Sequence, residues 1–416
     1  MTEVFSSHYR VAGLSEFVRL GECVRIGCGS HAHMGQVVRI DRDGAVVKSF
    51  EAAAGVGLRS QVFRAGPIEI APHQTWRGRV LDAFANPIDG LGPIARGERG
   101  RAVDAQAPKP MRRARVGGAI RTGVRAIDCF TPICAGQRIG VFAGSGVGKS
   151  TLLAMMTASQ GFDAVVVCLV GERGREVREF LDETSALRKD ATVTVASTGD
   201  ESPMMRRLAP LTAMTIAEHF RDEKASVLLI IDSITRYAHA CREVALSAGE
   251  PPVAHGYAPS VFTDLPKLLE RAGPGEGERG SITGVFSVLV DGDNHNDPVA
   301  DCARGTLDGH IVLDRDIADQ GRYPAINALK SISRLANSVW THEQRDLALK
   351  LRAILSRFED TRDLRMLGGY QAGGDPELDR AVALAPLVYE ALTQSPNDPP
   401  SADAFKEIMD HLKNAK

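Results

Sequence analysis

Residues 143 to 151 read AGSGVGKST, three glycines among small residues ahead of one lysine and two hydroxyls. Glycines let consecutive backbone N–H groups converge on one point, and a helix starting there adds partial positive charge. Gly144, Ser145, Gly146, Val147 and Gly148 would form a phosphate cradle. Lys149 would reach the β- and γ-phosphates as a point charge, and Ser150, followed by Thr151, would offer a hydroxyl to Mg²⁺. A dinucleotide fingerprint fails on spacing, because Lys149 stands where G-x-G-x-x-G needs its last glycine. Two carboxylates stand where such a loop would use them. Asp232 ends the apolar run VLLIID and suits the strand-end acid that holds Mg²⁺, usually through water. Glu172 follows AVVVCLVG, just past a strand end, where a carboxylate can polarise or deprotonate attacking water. A solvated strand-end acid and a helix-start glutamate are the plain alternatives.

These residues need particular elements to hold them. GQRIGVFAG, AVVVCLVG, TVTVAS, SVLLIIDS and SITGVFSVLV are apolar without alternation and are separated by helical periods, which predicts a parallel sheet covered on both faces. GQRIGVFAGSGVGKSTLLAMM then reads as strand, glycine turn and helix. Upstream, CVRIGC, VVRID and AVVKSF alternate around Arg42-Asp43-Gly44, predicting a hairpin within a small antiparallel barrel or sandwich. Asp82 to Gly123 is a Gly/Pro-punctuated connection, and from Thr341 the pattern turns helical, as in Glu343 to Leu355, Glu377 to Ala391 and the terminal AFKEIMDHLK.

At 416 residues the chain predicts two or three domains. A net charge of −2 gives no cationic field for nucleic acid or anionic lipid, and the basic run Lys109 to Arg125 lacks aromatics for base stacking. Seven scattered cysteines indicate a reducing compartment, the cytoplasm, and no run is long enough to span a membrane. Cys23 and Cys28 with His31 and His33 suggest zinc, but an odd separation along a strand turns the cysteines to opposite faces. DGDNHND starts like a calcium loop, then has Asn296 where glycine is needed and no glutamate at its twelfth position.

Taken in order, AGSGVGKST, GERGREV, DESPMMRRLAP, IIDSITRYAHACREVALSAGEPP, GYAPSVFTDLPKLLERAG, DGDNHNDPVAD and GRYPAINALKSISR resemble the rotary-type ATPase superfamily that includes the F1 catalytic subunits. Within it the chain most resembles the flagellar and type III secretion export ATPases. The resemblance implies an α/β fold: a RecA-like P-loop ATPase core at 85–345, an N-terminal segment and β-barrel at 1–84, and a C-terminal helical domain at 346–416. It implies ATP and Mg²⁺ as substrate and cofactor, and catalytic roles for Lys149, Glu172 and its polar neighbour Arg173. Asp232 and Ser150 are the implied metal residues. Tyr323, in GRYPAI, matches an adenine-side aromatic and Tyr370 is a second candidate. Arg334, in SISR, matches the arginine supplied to the neighbouring subunit's nucleotide.

A homohexamer is implied, with a regulatory stator-like dimer, a central stalk-like protein, a membrane export gate, export substrates and chaperones. Membrane association would be peripheral, at the inner-membrane export apparatus, and through those partners. Two departures stand out. Asp293-Asn294-His295 replaces a pair of adjacent acids, and few residues precede the barrel where flagellar members carry a longer regulator-binding extension. The expected activity is Mg²⁺-dependent ATP hydrolysis energising flagellar-type protein export. The alternatives are an injectisome ATPase, a non-catalytic nucleotide-binding ring subunit, which would lack a carboxylate at Glu172, and a nucleic-acid motor.

Overall fold

The computed structural model describes residues 1–27, 32–51, 55–290 and 297–414. Six short strands open the chain: β1 (Glu3–Val4), β2 (Tyr9–Val11), β3 (Cys23–Ile26), β4 (His33–Ile40), β5 (Ala45–Ser49) and β6 (Val62–Gly66). They pair antiparallel in the order β1-β2-β5-β4-β3-β6, and among the described residues no β1–β6 ladder closes the ring. The first two strands lie in a stretch whose sequence announces nothing, yet alternate residues Tyr9 and Val11 are buried with Val24, Ile26, Val37 and Val47. The hairpin expected at Arg42-Asp43-Gly44 joins β4 to β5. Its turn is closed by the Asp41 carboxylate, which accepts from the Asp43 and Gly44 N–H groups at 3.1 and 3.0 Å. Of the zinc candidates, Cys23 is buried on β3 and its thiol is pushed up to about 12 by burial. Cys28 and His31 lie outside the described residues, as do the residues of the rejected calcium loop from Asp291 to Asn296.

The central sheet contains β7 (Val80–Leu81), β8 (Arg138–Ala143), β9 (Ala164–Val170), β10 (Thr192–Ser197), β11 (Ser226–Asp232), β12 (Ser281–Leu289), β13 (Gly309–Val312) and β14 (Ile332–Ser333). Their spatial order is β14-β13-β8-β12-β11-β9-β10-β7. All neighbours on this path are parallel except β13 and β14. Strand β7, within the range read as N-terminal, is thus an edge of the central sheet.

The apolar runs are continuous because both faces are buried. On β9, Val166, Cys168 and Val170 join one core and Val165, Val167 and Leu169 the other. Helix α1 (Lys149–Thr157) and helix α2 (Gly174–Arg188) cover one face, through Leu152, Leu153, Val177 and Phe180. Helices α3 (Pro203–Asp222), α4 (Ile234–Ser247), α5 (Val261–Arg271) and α6 (Pro298–Thr306) cover the other.

The C-terminal helices α7 (His342–Asp360), α8 (Pro376–Leu392) and α9 (Ala404–Asn414) share the core of α1 and α2, through Leu351, Leu355, Val388 and Ile408. Helix α7 starts where the sequence turns helical, at a capping box in which Thr341 and Gln344 bond each other's backbone.

Candidate active site

The site forms at the carboxyl ends of four adjacent strands, β8, β12, β11 and β9, the edge where open α/β sheets collect ligands. Strand β8 ends at Ala143 and the chain turns through Gly146 (φ +79°) and Gly148 (φ +86°) into α1. Both angles lie in the left-handed region that glycine tolerates without a Cβ clash. Helix α1 has no side-chain cap, whereas α3 and α4 are capped by the Ser202 and Ser233 hydroxyls. Its first-turn N–H groups and macrodipole therefore face the loop's concavity, where an anion is stabilised.

Lys149, at the first position of α1, reaches across β12. Its ammonium bonds Asp232 Oδ1 and lies 3.7 Å from Glu172 Oε1. The three side chains are 11%, 2% and 13% exposed, so these charges interact with little screening. Ser287 Oγ donates to the same Asp232 Oδ1 at 2.5 Å from the middle of the cluster.

Glu172 is fixed by its backbone. Gly171 donates to the Ser197 carbonyl at 2.7 Å and Gly199 donates to the Glu172 carbonyl at 3.0 Å, docking this turn on the end of β10. Arg236, in the first turn of α4, lies 4.0 Å from Glu172 Oε2, and its stem packs on Gly171, where a Cβ would be 3.1 Å from the Arg236 Cβ. Burial pushes the Glu172 carboxyl up to about 7, against the Lys149 charge and helped by the Asp232 charge. Its Oε1 is a buried acceptor with no hydrogen bond. A carboxylate poised near neutral pH, with one oxygen free of hydrogen bonds, can take a proton from water.

The other candidate residues are placed unequally. Tyr323, 43% exposed, lays its ring against the phosphate loop: a methyl on Gly148 would lie 3.3 Å from Tyr323 Cδ1. Ser145 and Ser150 are exposed at the loop. Arg173 turns outward, 87% exposed, and pairs with Glu176 at 3.5 Å, apart from the Lys149 cluster. Tyr370 donates to Asp379 at 2.7 Å within the C-terminal region.

Arg334 is exposed and sits at the opposite edge of the sheet. Its N–H bonds the Asp308 carbonyl at 3.0 Å, and Asp308 in turn bonds Arg138 at the start of β8. The six residues of β8, at about 3.3 Å each, put Arg334 about 20 Å from its own phosphate loop.

Three residues at the site escaped the sequence reading. Ser287 is a hydroxyl interrupting a buried apolar strand, and Arg236 follows the strand-end Asp232 by four residues; both are visible irregularities. Arg315, which bonds the Ser145 carbonyl at 3.2 Å, carries no local signal at all.

The donor set suits magnesium. Ser150 and Asp232 are hard oxygen donors flanking the cradle, and Mg²⁺ binds few protein oxygens together with phosphate oxygens and water. No helix among the described residues is long and apolar enough to cross a membrane.

Residues 123–333 match the ATP synthase alpha/beta family, nucleotide-binding domain, and residues 340–413 match the T3SS EscN ATPase C-terminal domain. The flagellum-specific ATP synthase of Rhizobium meliloti is 55% identical over 98% of this chain and 87% of its own length. The type 3 secretion system ATPase of Xanthomonas euvesicatoria is 40% identical over 97% and 90%. Among solved structures, the assembled ATPase EscN of the enteropathogenic E. coli type III secretion system superposes with a TM-score of 0.91 at 36% identity, covering 100% of this chain and 99% of that one. EscN in complex with its central stalk EscO gives 0.89 at 35% identity, covering 99% of each. With its nucleotide-binding region matched by that model and such relatives aligned along nearly its whole length, the chain belongs to the ATP synthase alpha/beta family, in the branch of the flagellar and type III secretion ATPases.

Proposed function

We propose that this protein hydrolyses ATP to energise protein export through a flagellar-type secretion apparatus, as a ring of identical subunits. The observation that carries the reading is the cluster of Lys149, Asp232 and the proton-poised Glu172 beneath a phosphate loop. Identity of 55% to a flagellum-specific relative against 40% to a type 3 secretion relative favours the flagellar assignment over the injectisome. The assembled EscN structures support the ring, and the complex with EscO supports a central stalk partner. A stator-like regulatory dimer, an export gate, chaperones and cargo complete the proposed assembly. It would work in the cytoplasm and reach the inner membrane through those partners.

In this reading the loop N–H groups and Lys149 bind the β- and γ-phosphates. Ser150 and Asp232 would hold Mg²⁺, which would supply positive charge to offset that of the phosphates. Ser287 orients the Asp232 carboxylate by its hydrogen bond. Glu172 takes a proton from the water that attacks the γ-phosphorus while the bond to the β-bridging oxygen breaks and ADP leaves. Tyr323 flanks the base. Arg334, about 20 Å from its own cradle, would serve the adjacent subunit's γ-phosphate. Tyr370, whose hydroxyl donates to Asp379, is the second candidate aromatic on the base side.

Two variants test the cluster. Lys149→Ala removes the charge opposite the phosphates and should lose both nucleotide affinity and phosphate release. Glu172→Gln keeps size and hydrogen bonding but cannot accept the proton, so nucleotide binding should persist while turnover falls about 10²-fold or more. Near-normal turnover in Glu172→Gln would contradict the assignment.

A further inference from the structure

We propose that Arg315 is a positioning residue that sets the phosphate loop's peptide geometry from outside. The inference rests on reading residues 144–149 as the phosphate cradle. Strands β8 and β13 are parallel neighbours, with Val141 opposite Ile311 and Phe142 opposite Val312, so the turns leaving them start side by side. From β8 the chain enters the phosphate loop; from β13 it reaches Arg315 three residues beyond Val312.

The root of that second turn is firmly tied. Asp314 donates its N–H to the Ala325 carbonyl at 2.9 Å, and its carboxylate accepts from Asn327 and Lys330, each at 2.9 Å. From this anchor the Arg315 guanidinium donates to the Ser145 carbonyl at 3.2 Å. Eight residues later the same segment lays the Tyr323 ring against Gly148. Residues 315 to 323 therefore brace the loop at both ends, while Gly146 and Gly148 leave its backbone otherwise free to rotate.

Planarity of the peptide bond turns this contact into function. In a trans peptide the carbonyl of one residue and the N–H of the next point in opposite directions. Fixing the Ser145 carbonyl outward, on Arg315, fixes the Gly146 N–H inward, toward the cradle where a phosphate oxygen needs a donor. In this role Arg315 acts through the loop, by its bond to the Ser145 carbonyl, and not as a ligand of the nucleotide. It lowers the conformational freedom the loop must lose on binding, so its contribution appears in affinity rather than in the chemical step.

The test is steady-state ATP hydrolysis by assembled wild type, Arg315→Ala, Arg315→Lys and, as reference, Lys149→Ala, with melting temperatures for each. Arg315→Ala should raise KM for ATP by about 5- to 15-fold, with kcat within about threefold, the net size of one hydrogen bond. Arg315→Lys keeps a donor on a long stem and should restore KM to within about threefold of wild type. An unchanged KM in Arg315→Ala would overturn the proposal. So would a joint collapse of kcat and melting temperature in both Arg315 variants, because that marks a merely structural contact. Hydrolysis by Lys149→Ala would instead overturn the reading of the cradle, so the two failures are distinguishable.

Discussion

At the residue scale, the proposed chemistry turns on the protonation of Glu172. Its folded pKa of about 7 lies above the ordinary 4.5, raised first by burial. The native state therefore keeps a proton there that the unfolded chain has lost between those two values, and stability falls as pH climbs through that window. Glu172→Gln, a permanent mimic of the protonated form, should melt with wild type near pH 4.5 and increasingly above it up to about pH 7.5. Parallel melting curves from pH 5 to 8 would contradict the assigned pKa. In the role proposed for Glu172 the same ionisation would set activity: kcat/KM should rise with pH, with a midpoint near 7, since only the carboxylate accepts a proton. Lys149, Asp232 and Glu172 were legible in the sequence because Lys149 closes a glycine loop that leaves an apolar strand and the two acids stand at or just past the ends of two others, where position alone implies proximity. Arg173 shows the limit of that logic. It neighbours Glu172 in sequence, but the turn into α2 sends its side chain to solvent, where it pairs with Glu176.

At the scale of elements, the site depends on a sheet whose strands are held by distant partners. Arg271 of α5 forms a two-pronged ion pair with Glu218 of α3 at 3.0 and 2.8 Å, and also donates to the Thr215 hydroxyl and the Val103 carbonyl. Both charged side chains are almost fully buried. Glu218→Ala leaves the guanidinium without its counter-charge and should cost about 3–5 kcal/mol in urea unfolding, with kcat little changed under native conditions. A loss below about 1 kcal/mol would show that the pair is not what joins these helices. The fully apolar strands and the helical C-terminal region were readable because period and composition are local properties. Strand order was not. Ser287 meets Asp232 only because β12 lies between β8 and β11, and Arg315 meets Ser145 only because β13 lies on the other side of β8. No local pattern encodes a neighbour that arrives through a long crossover. The β1 and β2 strands were missed for a related reason: two or three residues are too few to show alternation.

At the scale of the whole molecule, the central claim is that a complete site needs two subunits: Lys149 and Glu172 from one and Arg334 from the next. Arg334 stands on an exposed edge about 20 Å from its own cradle, so a second chain is the economical way to bring it to a γ-phosphate. An arginine so placed contributes about 10³- to 10⁵-fold in rate. Specific activity should consequently rise with protein concentration through the range in which rings assemble, tracked by an independent measure of oligomer size. The most direct measurement is phosphate release from rings co-assembled from Glu172→Gln and Arg334→Ala chains, each nearly inactive alone. In mixed rings some interfaces pair an intact Glu172 with a neighbour's intact Arg334, and activity should return in proportion to them. If the arginine acted within its own chain, no subunit would hold both groups. Mixed rings shown to form but releasing no more phosphate than their parents would contradict the account.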